Sequence, residues 1–559
     1  MKRFLISLLI VAILASFASC ANAPITPTQT APTVPATETR PNLDTTGKYP
    51  LNMERNEAVI NDAGLISAEN NGNARVYYQI FVGSFSDSNG DGIGDLRGII
   101  NRFDYLNDGD PNSGLSLGIE GIWLSPIFSS PSYHKYDATN YYQIDPKFGT
   151  MEDLQELIEL CHSRNVQIIL DLVINHSSRS NKWFQNFVDA HVNGNTENEY
   201  YDFYSWVDQK KNGVTYSPIS GTDHYYECNF STDMPELNFD NQAVRQAMVD
   251  LAKFYLDMGV DGFRFDAAKY IYYGDEPRNL EFWEWYLAEL RAIKPDIYTV
   301  AEVWSADNAV IPYFSSTDCF NFTMSQAEGK VAVTAAGGNV NAYTQYIQSY
   351  LEQIQAKRPD AMLMTFIANH DMDRAAGYLT VASGRAHMAA NLSILTPGSP
   401  FIYYGEEIGV LGSRGGSNTD ANRRLAMLWG DGDTVKNPVG ANYGATQGNG
   451  TVADQLPNGN SLYNHYKKLI MIRKANPEIA YGTFTAVQGT GSKVGGFLST
   501  YNEKTVMVLH NTTTKAVTLD ISKLTDIPFD TLAAFVGMGT AKLDGSTLTI
   551  DAQTSVVLR

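Results

Sequence analysis

At 559 residues, with 61 acidic against 41 basic side chains, the chain carries a formal charge of -20, a surface sign that repels phosphate backbones and excludes nucleic acid as a partner. An apolar fraction of 43% and a charged fraction of 18% are those of an ordinary globular protein, which excludes a disordered chain and a polytopic membrane protein. The length exceeds one small core and predicts a large domain with one or two smaller ones.

Lys2 and Arg3 precede an apolar run from Phe4 to Phe17 and then Ala18-Ser19-Cys20, the pattern of an export signal over residues 1–20. The run is too short for a typical spanning helix. Ala18-Ser19-Cys20 also resembles a bacterial lipobox, although Phe17 stands where that pattern usually has Leu. It predicts a lipid on Cys20, and anchoring at the cell surface or membrane through that lipid alone. Cleavage near Ala21 without lipid, giving a secreted protein, is the alternative. Residues 21–74 read as a Pro/Thr-rich linker and N-terminal extension.

From residue 75 short apolar runs alternate with amphipathic patterns. Val76–Val82, Gly121–Leu124, Gln167–Val173, Asp261–Phe265, Tyr298–Ala301, Met362–Ile367 and Pro400–Tyr404 are the expected strands. Met151–Arg164 and Ala243–Met258 are two of the expected helices. This alternation predicts a parallel sheet, open or closed as a (β/α)8 barrel, and the lack of a Gly-rich dinucleotide turn or phosphate loop weakens the open form. Residues 177–238, rich in Tyr, Asn, Asp and Ser, break the rhythm as an irregular insertion after the third strand, with no long amphipathic helix. The barrel is expected over 75–176 and 239–477. Thr505–His510, Ala516–Leu519 and Ser555–Leu558 then predict an antiparallel β-sandwich over 478–559. Cys161, Cys228 and Cys319, odd in number and widely spaced, are expected to be buried thiols.

After the first strand, Asp87, Asn89, Asp91 and Asp95 place side-chain oxygens at nearly alternate positions among glycines, like the first part of a calcium loop, with Ile93 offering its carbonyl. An Asx-rich turn without metal is the alternative. Polar clusters close four strands: Asp171 to Asn175-His176; Arg264 and Asp266 to Lys269; Glu302 to Trp304; and Asn369-His370-Asp371 with Arg374. In a barrel these ends share one face. Cleaving a glycosidic bond needs a carboxylic acid for the leaving oxygen and a carboxylate for the anomeric carbon, and crowded carboxylates keep one of their number protonated.

The four clusters resemble, in order, the four core regions of the α-amylase family of glycoside hydrolases. Gly398–Gly405, Gly121–Pro126 and Met234–Asn238 resemble three further motifs of that family. The resemblance implies a retaining enzyme acting on α-glucans such as starch and maltooligosaccharides. Asp266 is the implied nucleophile, Glu302 the general acid/base and Asp371 the transition-state stabiliser. Tyr136 is implied to stack on the sugar, His176 and His370 to hydrogen-bond its hydroxyls, and Arg264 to position the nucleophile. Similar Asp-rich loops bind calcium in several relatives, which makes Ca2+ the one expected cofactor. Tyr270 stands where many members have His, which puts the usual calcium site between barrel and insertion in doubt. Lys135 stands where Gly is common, suggesting an altered cleft floor. Trp304 and Trp429 are expected to pack.

Ala267 after the nucleophile, where α-1,6-specific relatives often have Val, and Lys269 beyond it point to cleavage of α-1,4 bonds inside chains. An Ala267→Val change is expected to cost more activity than stability. An oligosaccharide α-glucosidase, a cyclomaltodextrinase or a transglycosylase on the same scaffold are rivals, as is a non-catalytic glycan-binding protein.

Overall fold

The computed structural model describes residues 72–415, 419–487 and 491–559. The expected signal, Cys20 and the extension up to residue 71 lie outside these. Eight parallel strands form the centre: β1 (Tyr77–Ile80), β2 (Gly121–Leu124), β3 (Gln167–Leu172), β4 (Gly262–Phe265), β5 (Tyr298–Ala301), β6 (Asp318–Cys319), β7 (Met364–Phe366) and β8 (Ser399–Tyr403). They pair in the order β6-β5-β4-β3-β2-β1-β8-β7. A parallel bridge between Phe320 and Met364 joins the two ends, and the Asn321 N–H donates to the Met364 carbonyl at 3.0 Å. The sheet is thereby rolled into the expected (β/α)8 barrel.

Alternation along each strand sorts the core into two layers. Tyr77, Trp123, Ile169, Val300, Met364 and Phe401 fill the interior, where the Tyr77 and Phe401 rings stack at 4.8 Å. Tyr78, Ile122, Ile168, Leu170, Phe263 and Phe265 belong instead to the larger cluster shared with the outer helices. Helix Met151–Ser163 starts on a capping box made by Thr150 and Asp153 and buries Leu154, Leu157, Ile158 and Cys161. Helix Gln242–Asp257 starts on an Asn241 cap and buries Val244, Met248, Leu251 and Tyr255. Both faces follow the 3.6-residue period of the sequence. β6 was not among the expected strands, because two residues offer no apolar run to read.

The insertion after β3 holds a small antiparallel sheet with Tyr225–Glu227 between Trp206–Val207 and Tyr216–Pro218. It also holds an 11-residue helix, Lys182–Val192, burying Trp183, Phe184 and Phe187, which corrects the expectation that no long amphipathic helix lies there. A bridge from His176 to Glu236 ties the end of the insertion back to the barrel. At the C-terminus, a five-stranded and a three-stranded antiparallel sheet enclose Met507, Leu509, Leu548, Ile550, Val556 and Leu558. Cys161, Cys228 and Cys319 are buried free thiols. Among the described residues no helix is long and apolar enough to cross a membrane.

Candidate active site

The strand ends that carry the polar clusters converge on one cleft of about 650 Å³, lined by Tyr136, His176, Asp266, Lys269, Glu302 and Asp371 among others. Arg264 and His370 lie beneath it, each at most 1% exposed. Strand geometry explains the convergence. Register sets Asp171 beside Arg264, and the two-residue repeat turns Arg264 and Asp266 to the same side.

Arg264 organises the floor. Its Nη1 lies 2.7 Å from Asp171 Oδ1 and 2.7 Å from Asp266 Oδ1, and its Nη2 lies 2.8 Å from Glu302 Oε2. One guanidinium thus serves three carboxylates, an arrangement its planar fork of donors suits. Asp171 also accepts from the Tyr136 hydroxyl at 3.0 Å, so it fixes both the expected stacking ring and the central cation. Asn175 Nδ2 donates to the Tyr270 carbonyl at 2.7 Å, a direct bond between the β3 end and the loop after β4.

The electrostatics separate the three expected catalytic carboxyls into two kinds. Burial raises the pKa of Asp266 and of Glu302, with Arg264 opposing the rise in each. The two side chains are in hydrogen-bond contact, so a proton resides on the pair more readily than on either group in water. Glu302 Oε2 also accepts the Ala267 N–H at 3.1 Å. Asp371 behaves oppositely. Burial works against its charge, but His370 and then Arg424 outweigh burial and hold the carboxyl well below the usual carboxylate range. His370 Nε2 lies 3.1 Å and Arg424 Nη2 2.6 Å from its oxygens. Gln79 Nε2 lies 2.7 Å from His370 Nδ1, which keeps the His370 Nε2–H directed at Asp371 and Tyr136.

His176 is buried and neutral, its pKa lowered by burial to about 4. Its Nδ1 contacts Asn175 Oδ1 at 3.1 Å, whereas its Nε2 has no partner among the described residues. That nitrogen is available to a ligand hydroxyl at the cleft. Lys269 Nζ donates to the Trp304 carbonyl at 2.6 Å. Trp304 is 38% exposed and stacks one face on Phe322 at 5.0 Å, leaving it on the cleft rim rather than in the core as expected. Trp429 does pack: it is buried and its Nε1 donates to the Phe85 carbonyl.

Two sequence expectations change in physical meaning. Lys135 has φ 67°, the left-handed region, which is why Gly suits this position. Its side chain runs to Asp145 at 2.7 Å, away from the cleft residues, so it does not reshape the floor. Ala267 is also left-handed, with φ 49° and ψ 39°. A β-branched residue there strains the backbone, so Ala267→Val lowers stability together with activity and cannot separate the two.

Arg424 was not singled out from sequence. It is 5% exposed and donates to the His370 carbonyl at 3.0 Å, to Tyr133 Oη at 3.1 Å and to Asp371. It follows Arg423 in a loop without periodic pattern, so no local signal marks it.

The Asp87–Asp95 loop lies apart from the cleft. Its side chains form successive Asx turns: Asp87 Oδ1 accepts from Asn89 N at 3.1 Å, Asn89 Oδ1 from Asp91 N at 2.9 Å and Asp91 Oδ1 from Ile93 N at 2.8 Å. Asp87 Oδ2 accepts from Gly92 N and Thr434 Oγ1, and Asp95 caps the helix Leu96–Asn101 through Gly98 N. The donors are the hard oxygens that calcium takes. In this conformation they face the loop's own N–H groups, and no three His, Cys, Asp or Glu side chains converge as a cation site among the described residues.

Comparison with known proteins places this geometry in a family. The model of the α-amylase catalytic domain matches residues 79–482. "Alpha-amylase 3" of Dictyoglomus thermophilum is 35% identical over 444 residues, covering 78% of this chain and 84% of that protein. An oligo-1,6-glucosidase of Bacillus cereus is 29% identical over 521 residues, covering 78% and 90%. Among solved structures, Eubacterium rectale Amy13B superposes with a TM-score of 0.81 at 33% identity, covering 91% of this chain and 97% of that one. With its barrel, its strand-end carboxylates and a matching catalytic domain over most of its length, this chain belongs to the α-amylase family of glycoside hydrolases.

Proposed function

We propose that the protein hydrolyses α-1,4-glucosidic bonds within starch-like α-glucans and maltooligosaccharides, with retention of anomeric configuration. The observation that carries the mechanism is the Asp266–Glu302 contact on Arg264 beside an Asp371 whose charge His370 and Arg424 favour. Close carboxyls suit a double displacement, whereas inversion needs about 6.5–9.5 Å between them to seat a water. Glu302 gives its proton to the glycosidic oxygen as Asp266 forms a bond to the anomeric carbon and the aglycone leaves. The Glu302 carboxylate then takes a proton from water, whose oxygen displaces Asp266 and restores both groups. Asp371 stabilises the positive charge that develops on the sugar. Tyr136 offers a ring to the sugar face and His176 contacts its hydroxyls, while His370, beneath the cleft with both ring nitrogens engaged, holds Asp371 and Tyr136 in place.

Cleavage inside chains is supported by the lining of the cleft. Tyr133, Asp420, Arg423, Phe230, Lys269, Tyr270 and Trp304 line the cleft around the carboxyls, rings and polar groups that suit a glucan chain longer than the unit being cleaved. The small Ala267 and the Lys269 ammonium favour a continuing α-1,4 chain. Starch should lose its iodine colour rapidly with little free glucose. Glucose release with colour retained would instead support the exo-trimming of an oligo-1,6-glucosidase type, and no reaction a glycan-binding protein. Catalytic efficiency should be higher on maltopentaose than on isomaltose, and the reverse order would overturn the linkage reading. An NMR time course should show the α-anomer first.

We further propose a structural calcium ion at Asp87, Asn89, Asp91, Asp95 and the Ile93 carbonyl. It requires Asn89 and Asp91 to turn from their N–H partners toward Asp87, and it takes no part in bond cleavage. The melting temperature should rise by several degrees from EDTA to millimolar calcium; an unchanged value would refute the site. Export with a lipid on Cys20 is the proposed location. Palmitate labelling that disappears in Cys20→Ala supports it, and wild-type protein found wholly in the medium without lipid refutes it.

A further inference from the structure

The five-stranded sheet of the C-terminal sandwich has two buried faces, each packed against a different neighbour. Strand Lys504–Asn511 lies between Val494–Tyr501 and Thr554–Leu558. Met507, Leu509, Val556 and Leu558 point into the sandwich. The alternate residues Val506, Val508 and Val557 belong to the cluster that includes the barrel helices, so this face docks on the barrel. The same alternation places His510 and Ser555, which are register partners, on the docked face. Both are at most 1% exposed.

Two barrel helices meet them there. Helix Arg385–Ile394 brings Asn391, and helix Leu462–Ala475 brings His465. His465 Nε2 lies 2.8 Å from Asn391 Oδ1 and 3.1 Å from the His387 carbonyl. Both are acceptors, so this nitrogen carries a hydrogen. Asn391 Nδ2 donates to Ser555 Oγ at 2.8 Å and to the Val536 carbonyl at 3.1 Å. Ser555 Oγ lies 2.7 Å from His510 Nδ1 and 3.9 Å from Met388 Sδ. A ring nitrogen accepts an O–H better than a thioether does, so the hydroxyl donates to His510. Every donor then points the same way, from the barrel helix to the sandwich strand.

We propose that His465, Asn391, Ser555 and His510 form a one-way hydrogen-bond latch that docks the sandwich on the barrel, and that acid opens it by placing a proton on His510 Nδ1.

The chain ends on a lone pair, so it tolerates no proton there. With Nδ1 protonated, His510 and Asn391 both donate to Ser555 Oγ, and the hydroxyl keeps only the distant Met388 sulfur. The new charge also stands in an apolar interface without a counter-charge. Gly495 lies opposite His510 on the other neighbouring strand, and burial alone pushes the His510 ring down to about 3. His465 faces the His387 ring at 4.7 Å and Lys468 on its own helix; burial, and then His387, hold it well below its usual value. Burial lowers His387 to about 4, and Lys468 Nζ lies over the Phe535 ring of the sandwich. No carboxylate is among the groups acting on the three histidines. A histidine freed by undocking titrates near about 6.5. Because the docked value lies below that, the contribution of His510 to docking is present above pH 6.5 and is lost as pH falls, by about tenfold per unit.

A thiol on the docked face reads the latch in the full chain. In Val508→Cys, labelling by a dipyridyl disulfide, which reacts with thiols in acid, is mapped by mass spectrometry and divided by the rate in the urea-unfolded chain at the same pH. The native Cys161, buried behind the barrel helix Met151–Ser163, reports opening of the barrel itself. The normalised rate at position 508 should rise at least about a hundredfold from pH 6.5 to 4.5 while Cys161 stays protected. His510→Asn in the same background offers Ser555 an amide oxygen and takes up no proton, so the rise should shrink by about a hundredfold. Asn391→Leu removes the middle of the chain and should raise the rate at pH 6.5 by about tenfold or more. A rise that persists unchanged in His510→Asn overturns the acid step. An Asn391→Leu rate equal to that of the parent at pH 6.5 overturns the latch. Equal loss of protection at Cys161 assigns the rise to global unfolding and overturns undocking.

Discussion

Asp266→Asn and Glu302→Gln should each lower kcat on maltopentaose by roughly three to four orders of magnitude, with melting temperatures within a few degrees of the parent. The fold should survive because each change leaves one ionisable carboxyl fewer in a crowded site while Arg264 keeps two carboxyl partners. Asp371→Asn should be similarly inactive, since its charge is the one that His370 and Arg424 hold fixed. Glu302→Gln allows a sharper test. A substrate with a leaving group that needs no protonation, such as an α-glycosyl fluoride, can still react with Asp266, but the variant lacks the base that activates water. The glycosyl ester should accumulate, adding one sugar mass to the intact protein, and peptide mapping should place it on Asp266. A label on another residue, or full activity in either variant, would overturn the assignment.

The barrel was legible because its strands are apolar on both faces and end in polar clusters. Gln167–Leu172 and Gly262–Phe265 each show this within a few residues. β6 was not, since Asp318–Cys319 is made a strand by pairing with β5 rather than by its own composition. Arg424 was hidden for a related reason: it reaches Asp371 across 53 residues of chain, and the loop that bears it has no periodicity. The rim was misjudged at Trp304, where sequence cannot tell a ring packed on both faces from one packed on Phe322 alone. Lys135 carries a different lesson. The Gly that relatives commonly have there answers to backbone conformation, which is a property of φ and is invisible in side-chain chemistry. Linkage and chain-length preference depend on such rims and loops, so they were the least readable part of the function.

Arg264→Met should be the most damaging single change to both stability and activity. Arg264 is 1% exposed and is the only cation in direct contact with Asp171 and Asp266 among the described ion pairs. Removing one side of a buried ion pair costs about 3–5 kcal/mol, because the remaining charges are left without compensation. The carboxyls can escape this cost by taking up protons, which makes the loss depend on pH. In the parent, burial already raises Asp171 to about 7 and also raises Asp266 and Glu302, with Arg264 opposing each rise. Without Arg264 all three rise further above the roughly 4 of an unfolded chain. Groups with raised folded pKa values contribute stability that is present in acid and lost as pH increases. The deficit of Arg264→Met relative to the parent should therefore be small near pH 4 and grow steadily toward pH 8. Activity should shift in the same sense, because Asp266 must ionise to attack: the acid limb of the pH profile moves to higher pH, and the maximum falls by about a hundredfold or more as the pair loses its alignment. Urea unfolding of both proteins at pH 4 and pH 8 decides the stability part. An equal deficit at the two pH values would assign the loss to packing, and a variant as stable as the parent at pH 8 would show that the three carboxylates do not depend on this guanidinium.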